Sequence, residues 1–210
     1  MMTKYAIGLA IAALVATSGA LNAQSVRLVA APESKLLVEG GSNLHDWHCQ
    51  ATAIDAQIDA DAAILKTAPT PAILQKVSVK VPVRSIKCGN GKMDDNLYKA
   101  LKADDAPQIS YILGTFEVQP GEGDSYTLKT VGSLTIAGTQ KTVNMDVTTK
   151  RSADGTLRAE GELPLLMTDF GVKPPTAIFG TLRTKNEVTV KFELLVGPQA
   201  VTAAAAGDRR

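Results

Sequence analysis

The sequence predicts an all-β domain of about eight antiparallel strands, closed into a barrel or stacked as a sandwich, with one short amphipathic helix. Three observations predict it. Short segments alternate apolar and polar residues, separated by Gly, Pro, Asn and Asp. The regular helical crossovers that a parallel sheet requires are missing. Residues 92–107 alone exchange the two-residue period for a four-residue one.

Residues 1–23 are set apart from the fold. Lys4 is followed by the apolar run "AIGLAIAALVA" and then by "TSGALNA", a secretory signal pattern with Ala20 or Ala23 as the small residue before cleavage, Ala23 preferred. The run is well short of the roughly 20 residues of a bilayer span. The expectation is an exported protein, periplasmic or secreted, without stable membrane insertion. Its domain occupies 24–197, and the tail 198–210, "PQAVTAAAAGDRR", has little to bury and is read as disordered. The whole chain has 22 basic and 21 acidic side chains, and removing Lys4 makes them equal. A neutral chain without Lys/Arg runs excludes nucleic acid and anionic membrane surfaces as electrostatic partners.

The strands follow in order. Residues 35–44 are the first candidate, and "LHDWHC" the next. In "AIDAQIDAD", Ile54, Ala56 and Ile58 oppose Asp55, Gln57 and Asp59. In "VSVKVPV", Val77, Val79, Val81 and Val83 share a face, and Pro82 marks an edge, bulge or strand end because it has no N–H to donate. The helix comes next, with Met93, Leu97 and Leu101 on one face, Asp94 and Asp95 early, Lys99 and Lys102 late, and Pro107 beyond its end. Residues 109–118 and 126–136 are strands, and "IAGTQKTV" turns tightly around Gly138. In "TVNMDVT", Val143, Met145 and Val147 share a face; 157–165 follow; and "EVTVKFELLV" places Val188, Val190, Phe192, Leu194 and Val196 together.

"SNLHDWHCQ" is the segment that invites a catalytic reading, since it gathers both histidines, the single tryptophan and one of two cysteines. An extended backbone puts His45, Trp47 and Cys49 on one face and Asp46 and His48 on the other. His45 and Cys49 are then about 13 Å apart, too far for a nucleophile and its base, and two histidines on opposite faces do not converge on a metal. Hydrolase, zincin and phosphate-loop motifs are absent, and "GNGKMDD" is a helix-opening turn. Asp94/Asp95 and Asp104/Asp105 read as solubilising pairs beside the helix. Catalytic and metal-binding residues are therefore expected to be none. Cys49 and Cys88 in an exported chain are most simply one disulfide, with two buried free thiols as the alternative.

The inward faces are rich in Val, Ile and Leu, which points either to a lipid-like guest or to a solid core. The candidate lining is Trp47, Val79, Val81, Tyr111, Leu134, Val143, Met145, Phe170 and Phe179, the two phenylalanines flanking "GVKPPTAIF".

The order "VPVRSI", "MDDNLYKALKADDAPQISYILGTF" and "GSLTIAGTQKTVNMDV" resembles the YceI-like family. Pro107, Ile109 and Tyr111 match its Pro-x-Ile-x-aromatic step, and Gly132, Leu134, Ile136, Gly138, Lys141 and Val143 match G-x-L-x-I-x-G-x-x-K-x-V. "LMTDFGVKPP" and "VTVKFELLV" resemble its closing strands. The resemblance covers about residues 28–196. It implies an extended eight-stranded antiparallel lipocalin-like β-barrel with a helix beside it, holding a polyisoprenoid or similar amphiphile and no other cofactor. The expected function is a non-enzymatic carrier, store or trap for a long-chain apolar molecule. The alternatives are a filled-core structural or interaction protein, meeting an envelope protein or forming a homodimer, and an enzyme or metalloprotein centred on the histidines.

Overall fold

The structure is a computed structural model that describes residues 25–152, 155–177 and 181–199 of the 210-residue chain. Residues 1–23, where the signal segment is expected, residue Phe179 and the tail beyond Gln199 lie outside the described residues.

The chain runs β1 (Ser25–Ala30), β2 (Lys35–Ser42), β3 (Asp46–Ala51), β4 (Asp55–Asp61), β5 (Leu74–Pro82), β6 (Ile86–Lys87), α1 (Gly91–Ala100), β7 (Gln108–Pro120), β8 (Ser125–Ile136), β9 (Thr139–Arg151), β10 (Leu157–Leu166), β11 (Thr176–Ala177) and β12 (Leu182–Pro198). Hydrogen-bonded neighbours reduce these to a closed antiparallel barrel of eight staves. β1 and β2 form one stave, since both pair with β12, through Ala30 opposite Val196 and Val38 opposite Val190. β3 and β4 form the second, paired to β2 and β1 in turn. β5 and β6 form the third, paired to β4 and β3. β7, β8, β9, β10 and β12 complete the meander and bring it back to the start.

The first three staves break near their middles, and side chains carry the bonding across two of the breaks. Where β1 gives way to β2, Ser34 Oγ accepts from Leu195 N at 3.1 Å and lies 3.3 Å from Leu195 O. Between β3 and β4, Thr52 donates to Ser85 O from both N and Oγ1 at 2.9 Å. Buried backbone groups need a partner, so these hydroxyls keep a broken stave in the sheet. Pro82 ends β5 and opens a short 3-10 turn over Val83–Ser85, as its missing N–H requires.

α1 lies at the barrel end where β6 ends and β7, β9 and β12 begin. Asn90 caps it, accepting from Lys92 N at 2.9 Å and Met93 N at 3.4 Å, with Asp94 in the first turn and Lys99 in the last. It stops at Ala100, short of Pro107, because Lys102 takes left-handed backbone at φ 54°. Met93, Leu97 and Leu101 pack on the barrel cluster of Cys49, Ala51, Val81 and Ile86. The helix's buried residue is Tyr98, which the four-residue pattern leaves out. Its hydroxyl accepts from Lys87 Nζ at 2.6 Å and lies 3.0 Å from Ile86 O, and the cations of Arg84 and Lys87 stand over its ring.

The opposite end is packed by Leu28, Ala56, Ala60, Ile64, Leu194 and Val196. Full burial of a side chain such as Leu28 contributes about 1.5–3 kcal/mol. The disulfide is present: Cys49 in β3 is bonded to Cys88, just ahead of α1.

Candidate functional site: an apolar channel

The inward faces of the staves do not fill the barrel. A cavity of about 230 Å³ occupies the end nearer β1 and β4, and a second of about 190 Å³ lies toward α1. Val38, Ile86, Ile109, Ile136, Leu165 and Val190 border both. These six residues form a common waist between the two spaces, which follow one another along the barrel. The two-residue period builds this wall: on β9, Met145, Val147, Thr149 and Arg151 all border the first cavity, and on β12 so do Val190, Phe192, Leu194 and Val196.

Two glycines make room for aromatic rings on the wall. A Cβ at Gly132 would lie 2.5 Å from the Tyr111 ring, and one at Gly40 would lie 2.3 Å from the ring of Trp47 on the adjacent strand. Both rings lie flat across a neighbouring backbone that only glycine leaves open. Tyr111 puts a polar group into the apolar middle of the first cavity's wall. Its hydroxyl donates to Thr130 Oγ1 at 3.3 Å, which donates to Met145 O at 2.9 Å. Burial raises the Tyr111 pKa against the opposing effect of the Thr130 hydrogen bond, so the phenol stays a neutral donor. Trp47 Nε1 donates to Gly41 O at 3.2 Å.

Of the residues read from sequence, Val79, Val81, Tyr111, Leu134 and Met145 border the first cavity, and Trp47 and Phe170 the second. Val143 packs instead into the cluster of Leu134, Leu163, Phe170 and Val172 and borders neither. Phe179 lies outside the described residues. Cys49 and Cys88 both form wall in the second cavity, where the disulfide fixes the approach to α1 beside Met93 and Leu97. Residues that sequence reading left out include Val38, Leu36 and Tyr126. Val190, Phe192 and Leu194 were on the correct face but not chosen, because a face cannot by itself say which residues meet open space.

His45 and His48 are both exposed; His45 lies in the turn that precedes β3, outside the strand expected for "LHDWHC", and borders the second cavity, whereas His48 on β3 borders neither. Among the described residues no group of His, Cys, Asp or Glu is placed to hold a metal ion, and no helix is long and apolar enough to cross a membrane. Replacing His45 and His48 together by Asn is expected to leave guest retention within about three-fold, less than 1 kcal/mol on the affinity scale. Guest per barrel after purification measures it, and a loss of bound metal or of any turnover would contradict it.

The YceI-like domain family matches residues 37–196. No curated protein matches the chain in sequence. Among solved structures, BcnA of Burkholderia cenocepacia is similar at TM-score 0.60 and 24% identity, over 78% of this chain and 96% of that one. A polyisoprenoid binding domain from Saccharophagus degradans, implicated in plant cell wall breakdown, is similar at TM-score 0.65 and 10% identity, over 84% and 100%. The YCEI protein of Campylobacter jejuni aligns at TM-score 0.52 and 17% identity, over 94% and 99%. At these identities the likenesses show a shared fold.

Proposed function

Because the chain belongs to the YceI-like family, we propose that it is an exported, non-enzymatic carrier that holds a polyisoprenoid or similar long amphiphile in its barrel, for transport, storage or sequestration. The observation that carries this reading is the waist. Two apolar spaces sharing Val38, Ile86, Ile109, Ile136, Leu165 and Val190 make a passage suited to one long chain rather than to a compact molecule. A polyisoprenoid suits such a wall because burying its methylenes and methyls is favourable at about 25 cal/mol per Å² and requires no directional partner. The binding named for the Saccharophagus degradans domain supports the same chemistry on the same fold. The non-enzymatic part is supported by the channel wall. Its hydroxyls at Tyr111 and Thr130 are bonded within the protein, and its cysteines are joined. Export is supported by the signal pattern of residues 1–23 and by a disulfide of the kind that persists in oxidising compartments.

The test is mass spectrometry of an organic extract of protein purified without detergent from its exported form. The expected result is a long-chain apolar compound in roughly stoichiometric amount. An extract without lipid, from protein that also fails to take up long chains when offered them, would favour the filled-core interaction protein.

A further inference from the structure

Formal charge borders the channel at one end only. Around the second cavity the polar neighbours are Ser42, His45, Asn96, Thr176 and Thr184, with no Lys, Arg, Asp or Glu among the described lining. Ser42 Oγ there donates to His45 O at 2.8 Å, and His45 Nδ1 lies 3.1 Å from Asp46 O. At the far end of the first cavity, Asp124, Lys150 and Arg151 join the wall. Arg151 is the last residue of β9 and continues the inward row of Met145, Val147 and Thr149, so the face that is apolar at mid-barrel ends in a guanidinium.

That guanidinium is incompletely satisfied. Its side chain is 13% exposed. Nη2 donates to the carbonyls of Ile64 and Thr67, the latter a short contact, and Nη1 stands 3.9 Å from Asp124 Oδ1. Nε is buried without a hydrogen-bond partner, alone in this respect among the described side chains. An arginine needed only to tie β9 to the 62–67 segment is served by Nη2. The Nε–H is costly to leave unpaired, but protein atoms cover it, so an acceptor in the cavity meets the guanidinium through Nη1, whose contact is the 3.9 Å ion pair with Asp124. Asp124 is 68% exposed and at ion-pair range only, so it leaves the residual positive charge largely unbalanced inside.

We propose that this end of the channel is a head-group site: Arg151, flanked by Lys150 and Asp124, takes an oxygen acceptor at one end of the guest, and the chain runs through the waist toward α1. This deepens the carrier reading and rests on it. It assigns the guest a polarity along the barrel, and it restricts the ligand class to chains ending in a carbonyl, hydroxyl or phosphate oxygen, excluding pure hydrocarbons as preferred guests. A neutral carbonyl and an anionic phosphate share the acceptor chemistry, and the experiment separates them.

Four probes of matched chain length are titrated into the delipidated protein: a prenyl quinone, a prenol, a prenyl phosphate and a hydrocarbon without oxygen. The parent is expected to bind the oxygen-bearing probes about ten-fold or more tighter than the hydrocarbon, the scale of one charge-assisted hydrogen bond. Arg151→Met is expected to erase that preference while hydrocarbon affinity stays within about three-fold. Arg151→Lys, which keeps the charge, retains preference for the phosphate if the natural head is anionic. A preference for quinone and prenol that only the parent shows assigns a neutral head. Either pattern supports the site. Equal affinity of the parent for all four probes overturns it while leaving the carrier intact. Loss of hydrocarbon binding in Arg151→Met, together with a fallen thermal midpoint, also overturns it, since Arg151 would then be a structural tie. Binding of no probe by the parent overturns the site and the carrier reading together.

Discussion

A tryptophan in place of Val190 is expected to exclude long chains from the barrel while leaving the empty protein folded. Val190 borders both cavities and pairs in register with Val38 on one side and Leu163 on the other. Its side chain is only partly buried, since it faces the open waist, so an indole there enters guest space rather than displacing packed neighbours. Val81 provides the contrast. It also borders the first cavity, yet it is 3% exposed and packed with Cys49, Ala51 and Ile86, so Val81→Phe should overpack and cost about 1–3 kcal/mol. The experiment pairs two readings: lipid recovered per barrel after expression, and the thermal midpoint of delipidated protein. For Val190→Trp, long-chain content should fall by about ten-fold or more, equivalent to at least about 1.4 kcal/mol, with little change in midpoint. A guest short enough for one cavity should still bind. Unchanged long-chain content would show that the guest does not pass the waist.

Replacing both Cys49 and Cys88 by Ala should cost about 4 kcal/mol, the chain-entropy value for a loop of this size. Alanine is preferred to serine because Cys49 is 1% exposed and a hydroxyl there would need a partner that an apolar cluster does not supply. The bond joins β3 to the segment leading into α1, so its loss acts on the denatured chain and also frees the approach to the helix. What then holds α1 is the Asp94 bond to Cys88 N at 2.7 Å, the Tyr98 hydroxyl network and the Met93, Leu97 and Leu101 contacts. Denaturant unfolding measures the effect as a shift in midpoint at constant slope. A loss below about 1 kcal/mol would mean that the denatured loop is already constrained by other means.

Strand identity was legible in this chain because the pleat is local. Alternation in "VSVKVPV", "TVNMDVT" and "EVTVKFELLV" names the two faces whatever lies across the barrel. The same locality disposed of the histidine segment, since adjacent positions on a strand face apart. The pleat applies only from Asp46 onward, however: His45 sits in the turn before β3, and both histidines are exposed. Helix ends are less local. The apolar stripe of α1 was readable, but its stop at Ala100 depends on the left-handed turn at Lys102, and the burial of Tyr98 depends on the carbonyls of Arg84 and Ile86 meeting its hydroxyl.

The sequence by itself determined an all-β chain with one helix, the inward face of its regular strands, the strand end at Pro82 and the two cysteines available for pairing. It misplaced Val83, which the turn after Pro82 sends against Tyr98 and Ala103 instead of beside Val77, Val79 and Val81. Only the tertiary structure decided that the inward faces enclose open space, in two cavities on either side of a shared waist. The gap across a barrel follows from strand number, tilt and stagger, which are properties of the closed sheet and not of any one strand. Closure also decided which inward residues line open space and which pack: Val190 faces the waist, whereas Val143, on the same kind of face, is covered by Leu134, Leu163 and Phe170. It decided the place of Arg151 as well. Read along β9 it is one of many charged residues. Closure brings the carbonyls of Ile64 and Thr67 and the carboxylate of Asp124 around it, because three segments distant in sequence meet at that end of the barrel.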